Sequence, residues 1–283
     1  MFRLTVLGCF FMLGISSLPL VAAESLGIQL WSVRDQAKAD VDKALDLVSG
    51  WEFKNVETAG TYGLTAEAFG EKLKQHKLKP VSAHYGYERL GSDLRGVIAE
   101  AKTLGVKYVV CPILPHNARK FDANYAHEVA KKFNEFGRAL HDAGIRFAYH
   151  THGFEFVPLP GSSSETSFDL LMKETDPKLV SYEMDVFWVW ITGQNPQQLL
   201  ERYPNRWALV HIKDIRKGVP LGSLSGAAPA TDNVAVGEGQ IPWPALLPIF
   251  KKVGVEYSFI EDETPDPLRN IPVSLTYLKG LEK

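Results

Sequence analysis

Histidines and carboxylates recur in this chain at short, even spacings: His150 with His152, Glu183 with Asp185, and His211 with Lys213, followed by Glu261 beside Asp262. On an extended strand, residues two apart point to the same side and neighbours to opposite sides. Each of the three pairs therefore presents both of its polar groups on one face. Asp185, His211, Glu261 and a histidine of the 150/152 pair, His150 first, make four nitrogen and oxygen donors. That set suits one divalent cation of the Mn²⁺, Zn²⁺, Co²⁺ or Mg²⁺ type. No short-spacing metal motif is present, so the four converge only if the fold brings separate strands together. Gln29, Glu57 and His84 are further polar residues in apolar surroundings earlier in the chain.

Each candidate also has a plainer reading. A lone histidine at a strand end more often satisfies a backbone hydrogen bond than binds a metal, and alignment with three other donors favours the metal. Glu57 has the chemistry to cap a helix or pair with a cation, and His84 to hydrogen-bond a loop; both are equally candidates for substrate contact. Glu183 and Asp262 flank better-placed donors and read as supporting groups. Phe187, Trp188 and Trp190 suit a core, but an aromatic just past Asp185 also suits stacking on a sugar ring, and Trp188 is the candidate. Lys213 and Arg216 are candidates to bind substrate oxygens, while Asp214, pointing the other way, suits fixing the following loop. For a base, Glu261, His150 and His152 are the candidates, because a histidine titrates near working pH.

Positioning such a set requires a particular architecture. Eight short β-rich runs are separated by helical patterns: Gly27 to Trp31, Asn55 to Thr58, Pro80 to His84, Lys107 to Cys111, Arg146 to His150, Leu179 to Asp185, Trp207 to Ile212 and Tyr257 to Ile260. Val41, Ala44, Leu45 and Val48 follow helical spacing behind Asp40 as N-cap, and 126–140 repeats the pattern. Leu104-Gly105-Val106, Ala143-Gly144-Ile145 and Val253-Gly254-Val255 each place a glycine where a helix ends left-handed before a strand. Eight such units in about 260 residues predict a single α/β domain, a (β/α)8 TIM barrel, whose catalytic face lies at the strands' C-terminal ends. No Gly-x-Gly-x-x-Gly follows the first strand, which removes support for a dinucleotide fold. The irregular stretch Arg216 to Gln240 is expected to overhang the catalytic face.

Composition narrows the partners. With 45% hydrophobic and 23% charged residues over 283 positions, a formal charge of -2 and a pI near 6.5, no basic surface for nucleic acid is expected. Arg3, the apolar run Leu4 to Val21, and the small residues of Val21-Ala22-Ala23 predict a signal peptide over 1–23, with the barrel over 24–283. Gly8, Gly14, Ser16, Ser17 and Pro19 weaken the rival reading as a membrane anchor, so no membrane insertion is expected after cleavage. Export to the periplasm or medium would remove Cys9 and leave Cys111 as the single thiol.

The segments Tyr149-His150-Thr151-His152-Gly153-Phe154-Glu155-Phe156, Glu183-Met184-Asp185-Val186-Phe187-Trp188, His211-Ile212-Lys213-Asp214, Gly237-Glu238-Gly239 and Glu261-Asp262 resemble the xylose-isomerase-like, AP-endonuclease-family-2 superfamily of sugar phosphate isomerases and epimerases. The resemblance runs from Gly27 to the C-terminus. It implies a TIM barrel with one divalent metal, held in its ketose epimerases by Glu, Asp, His and Glu from strands five to eight. Asp185, His211 and Glu261 match the last three; His150 stands where those epimerases have the first Glu. The histidine-rich fifth strand looks more like the branch of inosose dehydratases and 3-keto-glycoside lyases.

The implied chemistry is proton abstraction next to a carbonyl of a sugar or polyol, ending in isomerisation or epimerisation, or in a keto-sugar dehydratase or lyase by loss of a β-oxygen. An AP-type endonuclease is disfavoured by the missing basic surface and by Trp188 standing where a further histidine ligand would fall. A non-catalytic sugar-binding barrel is the remaining alternative.

Overall fold

The computed structural model describes residues 25–116, 120–162 and 164–281. The expected signal segment and Cys9 lie outside the described residues. Among the described residues ten strands form: β1 (Leu26–Gln29), β2 (Asn55–Thr58), β3 (Lys79–His84), β4 (Tyr108–Cys111), β5 (Arg146–His150), β6 (Val180–Asp185), β7 (Trp207–Ile212), β8 (Asp214–Ile215), β9 (Asn233–Val234) and β10 (Tyr257–Ile260). Eight of them close into a parallel barrel in the order β1-β10-β7-β6-β5-β4-β3-β2, while β8 and β9 pair as a separate two-stranded ribbon. Helices lie between the barrel strands, so the chain is a (β/α)8 TIM barrel. No described helix is long and apolar enough to cross a membrane.

Local chemistry explains the alternation of elements. Asp40 accepts a hydrogen bond from the Lys43 backbone N–H and caps the helix Val41–Gly50, whose Ala44, Leu45 and Val48 are buried. Gly105, Gly144 and Gly254 have φ of 71°, 80° and 92°, a region that costs a residue with a Cβ and that stops each helix before a strand. The helix Ala123–Asp142 buries Ala126, Val129, Ala130, Phe133, Phe136 and Leu140 along one stripe against the sheet.

Inside the barrel, the inward positions change character with height. Arg146 at the base donates to the Tyr108 hydroxyl, to Glu256 and to Ser181. Val81, Tyr108, Val110, Ala148, Leu209 and Phe259 then fill the axis as an apolar plug. Directly above them, two residues further along β5, β7 and β10, come His150, His211 and Glu261. The apolar plug removes water from below the polar layer, so each charge there must be met by another side chain.

Gly27 makes room for the plug. A Cβ at this position would lie 2.7 Å from the Asn55 carbonyl oxygen and 2.7 Å from the Phe259 ring, and that ring lies edge-on to His211, 6.2 Å away. Gly27→Ala is expected to destabilise the fold by about 1–3 kcal/mol through overpacking alone. Thermal unfolding should show a midpoint lower by several degrees.

Candidate active site

The polar layer is built in two tiers. The lower tier consists of two fully buried glutamates, Glu57 on β2 and Glu183 on β6. A shift in strand register falls immediately before each of them, between Val56 and Glu57 and between Tyr182 and Glu183. Such irregularities re-aim a side chain within a sheet. Glu57 Oε1 lies 2.7 Å from Gln29 Nε2, 2.8 Å from His84 Nε2 and 2.6 Å from His211 Nε2, and its other oxygen accepts from the Ser82 hydroxyl. Glu183 Oε2 lies 2.9 Å from His150 Nδ1, 3.3 Å from His211 Nε2 and 3.4 Å from His84 Nε2.

Each glutamate thus occupies one nitrogen of a histidine and turns the other upward. His150, held through Nδ1, offers Nε2 at 3.7 Å from Asp185 Oδ2. His211, held through Nε2, offers Nδ1 at 3.3 Å from Glu261 Oε2 and 4.0 Å from Asp185 Oδ2. Asp185 divides its own labour: Oδ1 accepts from the Trp188 backbone N–H and starts the helix Val186–Ile191, while Oδ2 is buried without any hydrogen-bond partner. A bare buried carboxylate oxygen is expensive unless a cation meets it. Asp185, His211 and Glu261 have donor atoms within 4.8 Å of one another, and His84, His150, Glu183 and His211 form a second such group. In that second group Glu183 Oε2 already meets His84, His150 and His211, while its Oε1 is buried without a partner. The residues present therefore fit a divalent ion bounded by His150 Nε2, Asp185 Oδ2, His211 Nδ1 and Glu261, with Glu183 and Glu57 orienting the imidazoles as carboxylates commonly do behind metal-binding histidines.

The electrostatics agree with a site short of positive charge. Burial favours the neutral form of His211, yet Glu183 and Glu261 override it and hold the imidazole well above its usual range. Burial likewise opposes charge on His84, but Glu57 and Glu183 push it up to about 9. Burial raises the Asp185 carboxyl in spite of Lys213 and His150 nearby. Glu261 is held well below the usual carboxylate range, burial being outweighed by Lys213 and His211. Protons and the Lys213 ammonium, 3.2 Å from Glu261 and 3.8 Å from Asp185, thus supply the positive charge.

Above the donors opens a cavity of about 430 Å³ whose walls include His84, His150, His152, Trp188, Lys213 and Glu261. His152 is partly buried, with its Nδ1 inaccessible to solvent and unpartnered. Burial first, then the neighbouring His150 and Lys213, depress its pKa well below normal, so it is neutral. Its ring stacks on Trp188 at 5.2 Å, and Lys213 Nζ lies 5.3 Å from the Trp188 ring centre. Trp188 therefore backs His152 and Lys213 as well as facing the cavity.

Placement of the remaining candidates is mixed. Glu57, expected at the substrate, lies in the lower tier beneath the cavity. Arg216, also expected to bind substrate, instead donates to the Thr231 carbonyl and to Asp232 on the surface and lines no part of the cavity. The antiparallel ribbon of β8 and β9 turns it away. Asp214 does fix the loop after β7, accepting from the backbone N–H groups of Ile215, Gly237, Gly239 and Ile241 and from the Trp243 indole. That loop reaches the C-terminal face, where Gly222 and Ser223 donate to the Ile191 carbonyl. Asp262 accepts from Thr264 and ties a turn. Glu183 proves central, and Glu263, which sequence reasoning passed over, accepts from Lys213 and from the Trp31 indole.

The fold is a TIM barrel that gathers histidine and carboxylate groups at the C-terminal ends of its strands. The xylose isomerase-like TIM barrel family matches residues 45–281, and the chain belongs to that family. An inosose dehydratase of Clostridium botulinum (strain Alaska E43 / Type E3) is 24% identical over 243 residues, which cover 76% of this chain and 79% of that protein. A sugar phosphate isomerase/epimerase from Parabacteroides distasonis ATCC 8503 superposes with a TM-score of 0.74 at 22% identity, over 92% of this chain and 96% of that one. The IolI protein, solved with a bound zinc atom, superposes with a TM-score of 0.69 at 18% identity, over 91% and 96% of the two chains.

Two outcomes test the site. Asp185→Ala and His211→Ala should lose the bound divalent ion in elemental analysis, whereas Glu183→Gln should retain it with affinity reduced about 10- to 100-fold. Because His211 carries its proton when no metal is bound, metal uptake must release protons and weaken as pH falls. Titrating Mn²⁺ or Zn²⁺ into lightly buffered metal-free protein should therefore acidify the solution.

Proposed function

We propose that the chain is an exported, metal-dependent enzyme that removes a proton next to the carbonyl of a keto-sugar or keto-polyol and then expels a β-oxygen, as a dehydratase or lyase. The observation that carries this reading is His152, an imidazole that its surroundings hold neutral, in the cavity wall beside the donor set. Neutrality is what a base requires. His150 and Glu261, the other candidates for this role, are drawn into the donor set. Family membership and the inosose dehydratase relative support chemistry of this kind on a polyhydroxylated substrate.

A divalent ion at the four donors would supply Lewis acidity, making the C–H next to a bound carbonyl acidic. His152 takes that proton and becomes an imidazolium. The proton then leaves His152 for the departing β-oxygen, and a C=C bond forms as the C–O bond breaks. Returned to carbon instead, the same proton gives an isomer or epimer, the second reading, which the sugar phosphate isomerase/epimerase neighbour favours only through the shared fold. The Lys213 ammonium, fixed by Glu261 and Glu263, has donors to orient the substrate's oxygens.

Incubating the metal-loaded protein with keto-inositols and 3-keto-glycosides in deuterated water tests both. Elimination products are expected, with His152→Ala slowed about 10²- to 10⁴-fold at unchanged metal content. Deuterium exchange without elimination would replace the lyase reading by epimerisation, and neither event in any substrate would overturn the proposal.

A further inference from the structure

The cavity has a second half that proton abstraction does not use. Besides its ionisable residues, its wall includes Trp31, Ala59, Gly60, Pro112 and Ile113. Trp31 and Ile113 are 40% and 37% exposed, and they are two of only four exposed large apolar side chains among the described residues. Both stand on the same cavity. Isolated apolar side chains on a surface need no explanation, but two converging on a pocket above polar donors mark a place where an apolar group is received.

Trp31 is also held in place. Its indole N–H donates to Glu263 Oε1 at 3.0 Å, its backbone N–H to Gln29 Oε1 at 3.0 Å, and its carbonyl accepts from Arg34 at 2.9 Å. The Arg34 guanidinium lies 5.0 Å from the ring centre. A tryptophan anchored at both backbone and indole while 40% exposed is a preorganised platform, because the cost of ordering it has been met before a ligand arrives. Through Glu263 and Gln29 the platform connects to Lys213 and to Glu57, so its position is tied to both tiers of the site.

Lys213 is the one lysine or arginine among the described cavity-lining residues, and it pairs with Glu261 and Glu263. We propose that Trp31 and Ile113 form a subsite for a flat, apolar aglycone, so that the substrate class is a glycoside whose keto-sugar faces the donors while its aglycone stacks on Trp31. This subsite deepens the sugar-directed function proposed above and rests on it. The β-oxygen expelled in the proposed elimination would then be the glycosidic oxygen, which leaves with the aglycone and takes the proton delivered from His152.

Calorimetric titration of phenyl and methyl β-glucosides into the metal-loaded protein separates the two layers of the reading. Phenyl glucoside is expected to bind about three- to tenfold more tightly than methyl glucoside, the range of one aromatic stacking contact. Trp31→Ala should bring that ratio close to one, Trp31→Phe should keep most of it, and Leu268→Ala, an exposed apolar residue away from the cavity, should leave it at the wild-type value. Equal affinity of the two glucosides for the wild type, or a preference that survives Trp31→Ala, overturns the subsite while leaving the sugar reading intact. Failure of both glucosides to bind removes the subsite; the enolisation reading then stands or falls on deuterium exchange with keto-inositols.

Discussion

Everything in the polar layer depends on two glutamates that no solvent reaches. Glu57 and Glu183 each take one nitrogen of a histidine and leave the other facing the open end of the barrel. Burying a carboxylate is costly unless it is paired and hydrogen-bonded, and these two are met by Gln29, Ser82 and three imidazoles. The arrangement stores negative charge under the site. That charge holds His84 and His211 protonated when no cation is bound, so the metal-free protein is neutralised by protons that a cation would displace.

The apolar plug beneath is the other half of the same design. Phe259, Leu209 and Ala148 exclude water below the histidines, which strengthens each interaction in the layer and forces it to be satisfied internally. Gly27 is the point where the plug and the strand backbone come closest. Stability and site geometry are therefore linked through one ring, Phe259, which lies edge-on to His211.

Much of this was legible in the sequence because barrel strands obey a period of two. Four of the eight expected strands, Asn55–Thr58, Arg146–His150, Trp207–Ile212 and Tyr257–Ile260, match the observed limits, and the other four differ by one or two residues. Alternation also brought Asp185, His211 and Glu261 to one face. What alternation does not encode is depth. Glu183 and Asp185 share a face, but the register shift at Tyr182/Glu183 sets Glu183 in the lower tier, and no periodic pattern announces such an irregularity. Arg216 lies off the cavity for a related reason: the ribbon of β8 and β9 reverses the chain within a segment that reads as irregular. Trp31 and Glu263 escaped notice because they lie just past strands β1 and β10, where orientation follows from loop geometry and not from a repeat.

The order of the donors along the chain has a consequence for biosynthesis. His150, Asp185 and His211 lie on β5, β6 and β7, but Glu261 follows β10, which pairs with both β7 and β1. The barrel closes only when β10, near residue 260, joins the first strand to the seventh. A ribosome-bound or truncated chain that ends before this strand has three of the donors on an open sheet and no enclosed cavity. The donor cluster therefore cannot template early folding of this protein; it is a product of closure, complete only once the last strand has paired.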